Sequence, residues 1–303
     1  MKDSLTLDPE MQSMAALLGT ATVTSPLRHR VAALRHIALD LDGTIYCAGK
    51  LFPTAVPFLR QLGTLGIGYT FVTNNSSRST SDYLEHLRAL GIPAEADQIV
   101  TSTHATIRFL RKHHPGVRRL FVLGTTSLIG EIAAAGFECL GQDSEIEPDA
   151  VVVGFDTALE YHRLCRAAWW IKQGKLYLAT HPDRVCPADH GTVLVDCGSV
   201  CAALREATGR RPDAVLGKPD PAMLDTILEQ HQISSHHLAM VGDRLSTDIA
   251  MARQIGVLSV LVLSGEATRA DAAAAETPPD MVVQGLQEFG TILDWARRTL
   301  VSV

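Results

Sequence analysis

Short apolar runs alternate with amphipathic segments from His36 nearly to the carboxyl terminus, and that rhythm most limits how this chain can fold. The strand-like runs are "HIALDLD", "GYTFVTNNSS", "RRLFVLG", "DAVVVGFD", "KLYLATHPD", "DAVLGKPD", "HHLAMVGD" and "VLSVLVLSG", followed by a terminal strand–helix pair from Asp280. Between them lie segments such as "STSDYLEHLRALG" and "PAMLDTILEQH", with helical spacing, a polar or prolyl start and often a glycine stop. Strand–helix alternation predicts an α/β fold of parallel sheets with helices on both faces. In such folds ligands bind at the carboxyl ends of strands. Polar clusters stand at such ends after 36–41, 68–73 and 237–241. The middle set, 114–210, can continue one sheet or form an inserted domain, and periodicity leaves both open. Residues 1–30 read as an extension, with a short helix from Pro9 to Leu18 and then "GTATVTSPLRHR".

Bulk properties exclude several classes. The chain of 303 residues is 46% apolar and 20% charged, the profile of a soluble globular protein able to bury a full core. Its net charge is -6 and no basic stripe appears, so no nucleic-acid partner is expected. No run approaches a membrane span, and the acidic start "MKDSLTLDPE" makes a poor signal peptide. Six cysteines without a C-x-x-C pair fit thiols in a reducing compartment, so the expected location is cytoplasmic.

The chemistry concentrates at the strand ends. Asp40 and Asp42 project to one side of an extended strand end. Two carboxylates this close repel unless one holds a proton or a cation lies between them. A hard divalent ion such as Mg2+ takes oxygen ligands of this kind. Thr73, Asn74, Asn75, Ser76 and Ser77 form a hydroxyl–amide rim before a helix start, suited to an anion. "LGKPDP" supplies Lys218, and "AMVGDRLSTDIAMA" places Asp243 and Asp248 after another strand. Taken singly, each has a bland account: an acidic turn, a chain cap, a surface lysine.

Taken together and in order, D-x-D-G-T at 40–44, the threonine of "TNN" at 73, the lysine of "GKP" at 218 and "GDRLSTD" at 242–248 resemble the four motifs of the haloacid dehalogenase-like phosphatases. "DLDGTIY", "TNNSS" and "VGDRLSTDI" further resemble the subclass typified by NagD and the 4-nitrophenyl phosphatases. So does "LATHPD" at 178–183, where that subclass commonly reads "ATNPD". The likeness runs from about residue 35 to the carboxyl terminus.

The resemblance implies a Rossmann-like parallel-sheet core in two parts, 31–113 and 211–303, with a smaller inserted α/β cap of the C2 type at 114–210. It implies a phosphomonoester hydrolase in which Asp40 is the nucleophile and Asp42 the general acid and base. Mg2+ would be held by the Asp40 carboxylate, the Asp42 backbone carbonyl and Asp243, with Asp248 acting behind them. Thr73, the Asn74 backbone and Lys218 would hold the phosphoryl oxygens. Asn75, Asp156, His181, Pro182 and Asp183 are candidates for the substrate-facing surface. The implied substrate is a small phosphorylated metabolite: a sugar phosphate, phosphoglycolate, glycerol phosphate, pyridoxal phosphate or a nucleotide. A homodimer is expected. The alternatives are a phosphomutase with the same aspartate pair and a binding protein that has lost turnover.

Two departures stand out. His181 replaces the common asparagine of "ATNPD", and "LVDCGSVC", with Asp196 and Cys197, stands where relatives carry a "PGAGS"-like turn. In the helix "LEYHRLCRAAWWIKQG", Trp169 and Trp170 point about a hundred degrees apart, so at most one is expected to face a core or a partner surface.

Overall fold

The apolar runs marked by the alternation are strands in the computed structural model, which describes residues 24–141, 143–187 and 192–298. The chain divides into two units, Met1–Tyr69 with Leu228–Val303, and Thr70–Ile227.

In the first unit four strands run parallel in the order Met281–Val283, Leu258–Val262, Leu238–Gly242, His36–Asp40. The last three are buried along their whole length, so their sequences are near-continuously apolar rather than alternating. Leu39 pairs with Val241, and Gly242 with Leu261, which brings the residues after these strands to one end of the sheet. The helix Leu286–Arg298 buries Leu286, Phe289, Ile292, Leu293 and Ala296 on one stripe. Phe289 meets Phe58 of the helix Ala55–Thr64, with ring centroids 5.9 Å apart. Residues 25–30 of the expected extension belong to a helix, Ser25–Ala32, tied to this unit. Arg28 lies over the Trp295 ring and Arg30 pairs with Asp280. The expected helix Pro9–Leu18 falls outside the described residues. A hairpin, Tyr46–Cys47 with Lys50–Leu51, has strands too short for a periodic signal.

The second unit holds a five-stranded parallel sheet of its own, ordered Ala214–Val215, Leu176–Ala179, Ala150–Val153, Arg119–Leu123, Glu138–Cys139. The question that periodicity left open is thereby answered: residues 119–215 do not extend the other sheet. Its core packs Phe121, Val151, Val153 and Tyr177 against Trp170 and Ile171 of the helix Tyr161–Lys172. Cys197, Val200, Cys201 and Leu204 of the helix Cys197–Thr208 join the same core. Trp170 is buried while Trp169 is half exposed, the split that adjacent helical positions require. The hairpin Val185–Pro187 with Val193–Val195 precedes the second of these helices. Also in this unit, the end of strand Gly68–Thr73 runs parallel to Ile99–Thr101, with Thr73 opposite Thr101. Among the described residues no helix is long and apolar enough to cross a membrane.

Candidate active site

In the first unit the chemistry sits where the parallel strands end. Asp40 closes its strand almost fully buried, and its Oδ2 accepts from the Thr44 hydroxyl at 3.3 Å. The chain then turns at Gly43, whose φ of +87° is a left-handed value that favours glycine. Asp42, half-buried, lies in that turn. Asp243 follows Gly242 directly. Its Oδ2 accepts from the Glu266 N–H at 2.7 Å, and its backbone carbonyl accepts from Ala267. The expected helix over "LSTDIAMARQIG" begins as a wide π-helical turn, Leu245–Ile249, before Ala250–Gln254 continues as α-helix. Such turns are uncommon and recur at functional sites. Here the turn carries Asp248, fully buried, whose Oδ2 accepts from the Arg244 N–H at 3.1 Å.

These carboxylates converge: one oxygen each of Asp40, Asp243 and Asp248 lie within 4.8 Å of one another. Glycines make the room. A Cβ at Gly43 would stand 2.3 Å from Asp243 Oδ2, one at Gly265 2.0 Å from the same oxygen, and one at Gly242 2.3 Å from Asp248 Cγ. Ser264 closes the rim by donating to the Gly43 carbonyl at 2.7 Å. An all-oxygen donor set of buried like charges, cradled where no side chain fits, suits a hard divalent cation. Asp42 is not one of these three.

In the second unit the predicted phosphate-binding residues assemble around Asn74. Its side-chain amide clamps the Lys218 backbone at both ends, accepting from the Lys218 N–H at 2.7 Å and donating to its carbonyl at 3.0 Å. The same Nδ2 donates to Asp183 Oδ2 at 3.1 Å, and the Asn74 carbonyl accepts from Ser102 at 2.6 Å. Gly217, with φ of +70°, permits this approach, because a Cβ there would stand 2.7 Å from Asn74 Oδ1. Lys218 is buried, and its Nζ donates to the Val72 carbonyl at 3.4 Å. Thr73 is buried as well, its Oγ1 accepting from the Asn75 N–H.

The remaining candidates divide. Asp183 joins the Asn74 cluster directly, and His181 touches Asp183 at 3.6 Å. Asn75 folds its Oδ1 onto Ser77, accepting from both its N–H and its hydroxyl, as an Asx turn does. Asp156 stands apart. Its carboxylate binds Arg163 at 2.8 Å and caps Ala158, and Arg163 also donates to the carbonyls of Val122 and Gly124. Pro182 is exposed. The sequence offered no signal for Ser264, Gly265 or Glu266, which read as an ordinary turn after a strand. Ser76, read from sequence as part of the anion-binding rim, is wholly buried between the Thr180 hydroxyl and the Phe155 N–H.

Comparison with known proteins shows the family. The haloacid dehalogenase-like hydrolase family matches residues 37–138, and a second HAD-hydrolase-like model matches 215–289. The D-glycerol 3-phosphate phosphatase of Mycobacterium tuberculosis is 36% identical over 240 residues, which are 79% of this chain and 66% of that protein. An acid sugar phosphatase of Staphylococcus saprophyticus is 30% identical over 250 residues, 82% of this chain and 94% of its own. Among solved structures, the 4-nitrophenylphosphatase of Thermotoga maritima is 39% identical with a TM-score of 0.80, covering 87% of this chain and 98% of that one. A glycerol phosphate phosphatase of Mycobacterium tuberculosis, solved in complex with magnesium, is 34% identical with a TM-score of 0.78, covering 86% and 77%. The chain belongs to the haloacid dehalogenase-like hydrolases and, within them, to the phosphatases that resemble NagD and 4-nitrophenylphosphatase.

Proposed function

We propose that this phosphatase hydrolyses small phosphorylated metabolites through a phosphoryl group carried on Asp40. The observation that carries the reading is the convergence of Asp40, Asp243 and Asp248 within 4.8 Å in a buried, all-oxygen setting. Asp40 attacks phosphorus: a bond forms from its carboxylate oxygen as the ester P–O bond breaks. Asp42 gives its proton to the departing alcohol. Water then attacks the aspartyl-phosphate while Asp42 takes up the water's proton, releasing phosphate and restoring Asp40. Thr73, the Asn74 backbone and Lys218 hold the transferring oxygens, where transition-state charge is compensated. Mg2+ would be held by the Asp40 and Asp243 carboxylates and the Asp42 carbonyl, with Asp248 acting behind them, and would neutralise charge on the phosphoryl oxygens. Residues 114–210 act as a cap that excludes bulk water and selects the leaving group.

Glycerol phosphate and sugar phosphates head the list of substrates, since the relatives above are named for them. The enzyme works in the cytoplasm, in keeping with cysteines that form no disulfide among the described residues. It works as a homodimer, for which the exposed apolar side chains of Val193, Val195 and Trp169 offer contact area.

The test is phosphate release from p-nitrophenyl phosphate and a metabolite panel with Mg2+, with EDTA and Asp40→Asn as controls. Wild type turns over, and Asp40→Asn and EDTA each reduce the rate by about a thousandfold or more. Equal rates for wild type and Asp40→Asn would overturn the nucleophile assignment. An isomerised, still phosphorylated sugar would identify a mutase instead.

A further inference from the structure

The two places where the chain departs from its subclass pattern meet in space. His181 is wholly buried, and its Nε2 lies 3.5 Å from Asp196 Oδ1 while its Nδ1 lies 3.6 Å from Asp183 Oδ2. Asp196 is nearly buried too. It caps the helix Cys197–Thr208 and accepts from the Cys197 N–H, so its position is fixed by the backbone. Asp183 in turn accepts from Asn74 Nδ2, and that same amide clamps Lys218 at both backbone ends. A continuous line of polar contacts therefore runs Asp196, His181, Asp183, Asn74, Lys218, with no link longer than 3.6 Å.

Burying two carboxylates against one ring is costly unless their charges are compensated there, and such groups are retained where they fix a geometry. We propose that His181 is a positioning residue: braced by Asp196, it sets the Asp183 carboxylate and, through Asn74, the backbone from which Lys218 reaches the phosphoryl group. The inference rests on the phosphate-binding role given to Lys218 above. His181 does not touch substrate in this scheme; it limits how far the lysine can wander. The phosphoryl oxygens gain most from that lysine as charge builds in the transition state, so misplacement lowers kcat more than it raises KM.

The experiment uses the full chain and the variants His181→Ala, His181→Asn, Asp196→Asn and the double variant His181→Asn/Asp196→Asn. Two readouts are taken: steady-state kinetics on p-nitrophenyl phosphate with Mg2+, and the NMR resonances of the Asn74 side-chain amide and the Lys218 backbone amide. His181→Ala should shift both resonances and lower kcat by about tenfold or more with KM within about twofold. Asp196→Asn should move the same resonances. Both changes act on the same contact, so the double variant should lose no more than the worse of its two single variants, a non-additive result. His181→Asn carries the same test should the alanine variant fail to fold. A lowered unfolding midpoint with kcat and both resonances unchanged would make His181 a packing residue and overturn the proposal. A wild type that releases no phosphate would sink the phosphatase reading alone, because the Asn74 and Lys218 resonances still decide whether His181 sets their geometry.

Discussion

Two acidic centres in the first unit dispose of buried negative charge in opposite ways. At the start of strand Met281–Val283, Asp280 faces cations. Its Oδ1 meets Arg30 at 3.0 Å and Arg253 at 2.8 Å, and its Oδ2 accepts from the Ser259 N–H and hydroxyl, both at 2.9 Å. Burial pushes this carboxyl's pKa up, but the Ser259 donors and the two arginines prevail and hold it below its usual value. At the other end of the sheet, Asp40, Asp243 and Asp248 turn their oxygens toward one another. The Thr44 hydroxyl and the N–H groups of Glu266 and Arg244 donate to them and aim these carboxylates. The first arrangement is what stability alone selects; the second makes sense when something cationic is to be held. Asp280 stands at the amino end of its strand, and the converging aspartates stand at the carboxyl ends of theirs, where ligands of such folds bind.

The sharpest way to break this contrast is to fill the cradle without touching a charge. Gly265→Ala places a Cβ 2.0 Å from Asp243 Oδ2, and its backbone shows no left-handed φ, so the damage comes from crowding. The expected outcome is a Mg2+ affinity lower by about 10- to 100-fold, as when groups orienting a metal ligand are disturbed. Titrating both activity and thermal midpoint with Mg2+ measures it, since an ion bound to the folded state raises the midpoint. Unchanged Mg2+ dependence would mean that Asp243 does not need its present orientation.

The complementary change is Asp280→Asn. It keeps the shape but removes the charge that Arg30 and Arg253 share, and it weakens acceptance from Ser259. Stability should fall by about 2 kcal/mol, the scale of a part-buried charged hydrogen-bond network losing its anion. Urea unfolding gives the loss, while kcat and Mg2+ affinity should stay within about twofold, because distant sites add independently. A large drop in kcat would show that the two ends of the sheet are coupled.

The contrast also explains what was legible in the chain before folding. Asp40, Asp243 and Asp248 could be read because each closes or closely follows a short apolar run, and the topology carries those strand ends together. Asp280 could not, since "TPPD" reads as a turn and its partner Arg30 is 250 positions away. Gly265 was equally silent: its task depends on which carboxylate the next strand delivers beside it. His181 and Asp196 were visible as departures, yet their meeting needed the fold of the hairpin between them. The carboxylate in Asp156 looked available from sequence, but Arg163, one helical turn into the following helix, engages it. Local strings encode which element a residue ends; long-range pairing decides whether its charge is spent or kept.

His36 sharpens the comparison from the other sign of charge, with the smallest expected effect. It begins the strand that ends in Asp40, is buried, and stacks on His231 with ring centroids 4.0 Å apart. A Cβ at Gly68 would stand 2.5 Å from its Nδ1, so the ring is packed directly on backbone. Burial first, and then the neighbouring His231, lower its pKa to about 3. Like groups are reconciled here by giving up a proton, a route open to imidazoles at neutral pH. The folded protein therefore leaves His36 neutral, while the unfolded chain takes up a proton there below about pH 6.5. Its contribution to stability is present above that pH and is lost as the pH falls toward 3. Between pH 7 and pH 5.5 wild type should lose about 1 kcal/mol more than His36→Phe, which keeps a ring and cannot titrate. Paired urea denaturations at the two pH values measure the difference. Equal losses in the two proteins would mean that His36 is protonated when folded, and that this end of the strand also holds a charge.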